Sequence, residues 1–152
     1  MIYILTVSLL PKKGINFLGS LNILSSLRNW LFETEKVLKP RMTVKWNNFI
    51  FYFRAPLQIL RKAKTNGIEA SLTRSIIKLI KKDSNVIDIG ANYGFISIVC
   101  AKYVKNGGGM VYSFECDERY FENLQSSIKD NNLNNTKLFL EFVGEKNDNT
   151  TK

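Results

Sequence analysis

At 152 residues, with 45% hydrophobic, 12% aromatic and 23% charged side chains, the chain suits one domain with a buried core and excludes a disordered tail or low-complexity linker. Histidine is absent, which excludes Ser–His and Cys–His catalytic pairs and mixed Cys/His zinc sites, and the two cysteines, Cys100 and Cys116, are too few for a multi-bridge framework. The net charge of +9 is unevenly spread: residues 1–82 hold 15 Lys/Arg against three acids, whereas residues 83–152 hold 7 basic and 10 acidic side chains.

A basic front half could face nucleic acid, an acidic lipid surface or another acidic partner, or serve as a solvated surface. The cysteine usage makes a reducing, cytoplasmic setting the default. Met1–Leu10 is apolar but about half the length of a membrane span, and it lacks the basic residues that precede a secretory hydrophobic region. It reads as a strand or short docking segment, with no transmembrane span. From Ile15 to Phe32, Phe17, Leu18, Leu21, Leu24 and Leu31 recur at helical spacing with Arg28 on the same stripe. That predicts an amphipathic helix packed on the domain, with attachment to a membrane surface as the alternative. Residues 1–41 therefore read as an accessory N-terminal segment.

Residues 42–84 read as a hairpin and helix lead-in. Thr43–Trp46 and Phe49–Phe53 are β-branched and aromatic, and Asn47-Asn48 between them can take the positive-φ turn positions. Pro56 follows in a loop. Ser71–Lys82 predicts a helix capped by Ser71, burying Leu72, Ile76, Leu79 and Ile80, with terminal lysines suited to the helix dipole. Asp83-Ser84-Asn85 ends it.

Residues 85–152 are the most regular. Val86–Ile89 predicts a strand, Gly94–Val104 a helix, Met110–Phe114 a second strand and Asp117-Glu118 the start of a helix burying Tyr120, Phe121, Leu124 and Ile128. After the Asn-rich loop 131–135, Lys137–Val143 is a third strand. Strand, helix, strand, helix, strand makes an α/β half-sheet of parallel strands with right-handed crossovers.

The chemistry concentrates in Asp88-Ile-Gly90-Ala-Asn92-Tyr-Gly94, on the turn after the first strand, at the carboxyl edge where such sheets bind ligands. Gly90 and Gly94 leave backbone bare for a ligand, and Asp88 and Asn92 bring polar groups to the same edge. Glu115 lies 25 residues after Gly90, at the end of the second strand, where a carboxylate can accept both ribose hydroxyls. A dinucleotide fingerprint needs Gly-x-Gly-x-x-Gly for its pyrophosphate, but here Asn92 holds the middle glycine's place. S-adenosylmethionine, with a ribose and an amino-acid end but no phosphate, fits this loop better.

With these residues in view, the stretch from about Met42 to Glu145 resembles the FkbM-type S-adenosylmethionine-dependent methyltransferases. The likeness rests on the loop from Asp88 to Gly94, on Tyr112-Ser-Phe114-Glu115, and on Phe121-Glu-Asn123-Leu124 through Ile128 to Asn131. The hairpin, Glu69 and the Ile76–Ile80 helix resemble that family's lead-in. The resemblance implies a Rossmann-like class I methyltransferase fold, S-adenosyl-L-methionine as cofactor, Asp88, Gly90, Asn92 and Gly94 at its methionine end, and Glu115 at its ribose. It also implies methyl transfer to an oxygen nucleophile, a small-molecule hydroxyl of a sugar or metabolite. No catalytic base is assigned, and with no histidine a carboxylate or lysine would serve. The family usually has proline where this chain has Cys116, which leaves a candidate small buried thiol.

The run is also similar to tRNA guanine methyltransferases, which the basic front half would suit. The resemblance implies a seven-stranded sheet, of which about three parallel strands are present. The expectation is accordingly a truncated or split chain, a partner chain supplying the missing half, or a non-catalytic interaction module retaining the half-sheet.

Overall fold

The computed structural model describes residues 40–144. The expected elements Met1–Leu10 and Ile15–Phe32, and the polar end from Asp148, lie outside the described residues. The chain divides between Leu38 and Lys39 into two units, and the second contains all the described residues.

The second unit opens with an antiparallel hairpin, β1 (Arg41–Trp46) and β2 (Phe49–Arg54), in which Trp46 faces Phe49 and Arg41 faces Arg54. The alternation is clean: Val44, Trp46, Phe51 and Phe53 point inward while their neighbours face solvent. At the turn only Asn47 has positive φ (49°), so one of the two asparagines takes the left-handed position rather than both.

Pro56, expected in a loop, instead caps a helix the sequence reading missed, α1 (Leu57–Thr65). Proline suits a helix start, where a free N–H has no intrahelical acceptor. Leu60 and Ala63 are its buried residues. Helix α2 spans Ala70–Leu79, shorter than expected at its C-terminal end. Its cap is Glu69, in a left-handed conformation, not Ser71. Of the expected face, Ile76 and Ile80 pack against the core, but Leu72 and Leu79 are 51% and 82% exposed and Thr73 is fully buried.

The sheet then follows the expected order. Strands β3 (Val86–Ile89), β4 (Val111–Glu115) and β5 (Thr136–Leu140) are parallel and lie side by side in chain order, joined through α3 (Phe95–Val104) and α4 (Glu118–Asp130). β5 ends at Leu140, short of the expected Val143. In α4 the buried residues are Leu124, Ser127 and Ile128, with Phe121 only partly buried against the core.

Helix α3 is buried nearly all round, and its first residue explains why the hairpin matters. The Phe95 ring sits edge-on to Trp46, Phe51 and Phe53, with centroids 5.9, 5.4 and 5.7 Å away. Hairpin and sheet thus share one hydrophobic core, and the aromatic box grips the helix just where it leaves the Gly90–Gly94 loop. A second tie is polar. Asn131 accepts from the Tyr52 amide (2.9 Å) and donates to the Tyr52 carbonyl (2.6 Å), while Arg54 Nε meets Asp130 at 2.7 Å.

On β3 and β4 the side chains at Asp88, Ser113 and Glu115 point to the helix-covered side. Ile87 and Ile89 point the other way and are 67% and 61% exposed. Among the described residues no helix is long and apolar enough to cross a membrane.

Candidate functional site

The loop after β3 is tightly bonded to the end of β4. The amides of Gly90 and Ala91 both donate to the Phe114 carbonyl at 2.9 Å. The Asn92 amide donates to Glu115 Oε2 at 2.7 Å, the Tyr93 amide to Asn92 Oδ1 at 2.8 Å, and the Gly94 amide to the Ala91 carbonyl at 2.9 Å. All five loop amides therefore donate within the chain. A pyrophosphate cradle needs such amides turned outward to the anion, so the geometry favours a ligand without phosphate.

Glu115 is the hub. The residue is 6% exposed, and each carboxylate oxygen takes one backbone donor, Oε2 from Asn92 and Oε1 from Asp117 at 2.8 Å. A carboxylate oxygen has two acceptor positions, so each retains one for a ligand hydroxyl. The side chain is turned toward the loop, and it joins the loop after β3 to the loop after β4.

Asp88 lies on the covered side near the carboxyl end of β3, its Oδ2 accepting a short hydrogen bond from the Ser97 hydroxyl. Burial pushes its carboxyl above the ordinary carboxylate range. The Ser97 hydrogen bond pulls it back, and the charges on Glu69 and Glu115 push it up again. The influence of Glu69 brings a residue from the start of α2 into the electrostatics of the site.

The two glycines do different things. Gly90 (φ 74°) has nothing within 4 Å of where a Cβ would stand, so bare backbone borders open space there. Gly94 (φ 87°) faces Leu124 instead, and its missing side chain serves the contact between α3 and α4. Asn92 also adopts positive φ (53°), and its side chain folds onto the next amide while the residue stays exposed. The structure thus gathers Asp88, Gly90, Asn92 and Glu115 at one sheet edge and turns Gly94 toward the core.

Cys116, expected as a buried thiol, is exposed, because the chain leaves the sheet at Glu115. Cys100 on α3 is the buried one, and burial beside Asp88 pushes its thiol up to about 12. Ser97 and Ser113, 9 and 25 residues from Asp88, escaped the sequence reading. The only signal for them is polar residues amid otherwise apolar runs.

No protein-family model and no curated protein matches this chain. Among solved structures, TYW2 of M. jannaschii in complex with AdoMet superposes with a TM-score of 0.51 at 23% identity, over 66% of this chain and 42% of that one. TYW2 of P. horikoshii in complex with MeSAdo gives 0.50 at 19% identity, over 68% of this chain and 36% of that one. The chain spans less than half the length of either structure. At these identities the likeness establishes the fold: a Rossmann-like methyltransferase fold of which this chain holds a three-stranded part.

Proposed function

We propose that this chain is the cofactor-holding part of an S-adenosylmethionine-dependent methyltransferase. The observation that carries the reading is the Glu115 carboxylate, buried at the sheet's carboxyl edge, fixed by the Asn92 and Asp117 amides and retaining acceptor capacity for a ribose. The open backbone at Gly90 supports close approach of a ligand, and Asp88 supplies negative charge for the ammonium of an amino-acid end. The satisfied loop amides agree with a cofactor that carries no phosphate.

When bound, the cofactor supplies an electrophilic methyl on a sulfonium, and catalysis becomes largely a matter of alignment. Glu115 orients the ribose, Asp88 the amino-acid end, and the aromatic box around Phe95 keeps the loop from shifting. The resemblance of the Asp88–Gly94 loop to the FkbM type favours a hydroxyl oxygen of a sugar or metabolite as acceptor.

Calorimetric titration with S-adenosylmethionine tests the core reading. Saturable binding, displaced by S-adenosylhomocysteine and lost in Glu115→Ala, is expected. No heat at millimolar cofactor, with a chain shown by circular dichroism to be folded, overturns it.

A second reading, methylation of RNA, is favoured by charge. Residues 40–82 hold ten Lys/Arg against Glu69 alone. Arg61, Lys62 and Lys64 on α1, and Arg74, Lys78 and Lys81 on or after α2, are exposed with no ion pair to a described carboxylate. Such a surface would bind phosphates with steep salt dependence. Fluorescence anisotropy with a labelled tRNA separates the readings: a salt-sensitive rise supports RNA, and none up to micromolar protein at low salt leaves the hydroxyl acceptor.

A further inference from the structure

Beneath the loop runs a chain of three polar side chains that the proposed binding contacts do not by themselves require. Ser113 Oγ on β4 donates to Ser97 Oγ on α3 at 2.9 Å, and Ser97 Oγ donates to Asp88 Oδ2 on β3. Both serines are fully buried, and Ser113 sits directly across the sheet from Asp88. Each hydroxyl has one proton, and an ionised carboxylate only accepts. A charged Asp88 therefore fixes the direction of the whole relay: Ser97 must spend its proton on Asp88, and Ser113 must donate to Ser97. The Ser97 hydroxyl contact falls on Oδ2, the Ser97 backbone amide also bonds to the carboxylate, and Asp88 as a whole is half-buried rather than sealed.

We infer that Ser97, oriented by Ser113, is a positioning residue that holds Asp88 through Oδ2 and turns its carboxylate to a cationic ligand group, the ammonium of an amino-acid moiety. The inference rests on the cofactor reading above. Its physical basis is that burial and both nearby carboxylates oppose the charged form, and only the hydroxyl and the backbone amide of Ser97 favour it. Asp88 loses hydration beneath α3, and Glu69 at the start of α2 and Glu115 at the end of β4 both repel a second negative charge. The remaining titratable group beside it, Cys100 on α3, is a protonated thiol and supplies no positive charge. The Ser97 hydroxyl is the larger of the two favourable contacts that keep a binding-competent carboxylate in this place.

The test is the titration of the Asp88 side-chain carbonyl carbon, followed by NMR in the free protein and in Ser97→Ala, paired with S-adenosylmethionine affinity across the same pH range. Loss of the hydroxyl is expected to raise the Asp88 midpoint by about one pH unit. Affinity in the variant should fall about tenfold below the new midpoint and recover above it. Ser113→Ala, which keeps the direct contact to Asp88, should give a smaller shift in the same direction, and it serves if Ser97→Ala does not fold. An unmoved Asp88 midpoint, or an affinity loss equal at every pH, overturns the inference. If the unaltered protein binds no cofactor at any pH, the cofactor reading fails instead, and the NMR arm still reports whether Ser97 controls Asp88.

Discussion

A Cβ placed on Gly94 would lie 2.3 Å from Leu124 Cδ1, so the last glycine of the loop is also the point where α3 and α4 touch. Gly94 carries φ 87° as well, a conformation that penalises any side chain. Gly94→Ala is expected to destabilise the fold by about 1–2 kcal/mol from the backbone and by about 1–3 kcal/mol more from crowding a fully buried leucine. Gly90→Ala meets open space and should cost about 1–2 kcal/mol of stability, from its backbone alone. It should nonetheless weaken cofactor binding about tenfold, because the new methyl enters the ligand's path. Urea denaturation and calorimetric titration of the two variants would show stability and binding responding separately.

Glu115→Gln preserves shape but turns one acceptor into a donor. Whichever way the amide settles, its NH2 meets the backbone N–H of Asn92 or of Asp117. The expected loss is about 1–3 kcal/mol of stability, with cofactor affinity lost as well. Thermal unfolding followed by circular dichroism, alongside the same titration, measures both.

Phe95→Ala removes the ring that Trp46, Phe51 and Phe53 surround. A loss of about 3–5 kcal/mol is expected for an aromatic deleted from a packed core. The near-ultraviolet circular dichroism of the aromatic box should collapse together with the stability. Retention of that signal would mean that hairpin and sheet are held by the Asn131 and Arg54 contacts instead.

The two thiols should differ sharply toward a disulfide reagent such as Ellman's. Cys116 is exposed and should react in the folded protein. Cys100 is fully buried, and with its thiol pushed up to about 12 it carries almost no thiolate at neutral pH. One thiol per chain should titrate under native conditions and two in guanidinium.

Asp88 also sets a pH dependence of stability. Its carboxyl titrates higher in the folded chain than in the unfolded one, so the folded chain holds that proton more tightly. The resulting stabilisation is present at low pH and is lost as pH rises through the folded value. Asp88→Asn lacks this loss and should match or exceed the unaltered protein above that pH, by about 1.4 kcal/mol for each unit of elevation. Asp117, held down to about 2 by its hydrogen bond to Arg119, acts in the opposite sense under acid but is common to both proteins. Melting temperatures of the pair from pH 3 to 8 check the difference.

The loop, its flanking strands and Glu115 were legible because each depends on local rules: two-residue alternation in the strands, glycine where φ is positive, and an acid at a strand end. Helix α1 was not legible. Pro56 reads equally as a loop residue or a helix start, and Arg61, Lys62 and Lys64 mask the short apolar stripe of Leu57, Leu60 and Ala63. The face of α2 was misjudged for another reason. Periodicity finds a stripe, but the partner's position decides which part of it is covered, and Thr73 rather than Leu72 or Leu79 met the core.

By itself the sequence determined the order of elements from β3 onward, the parallel half-sheet and the edge where polar groups collect, since hydrophobic period and turn chemistry act over a few residues. Only the tertiary structure decided what each polar group does there. Asn92 and Glu115 meet across 23 residues, and Ser97 bridges Asp88 to Ser113 between two strands and a helix. Such contacts form where the chain returns through space, and a buried carboxylate takes its behaviour from the donors and charges around it, not from its neighbours along the chain.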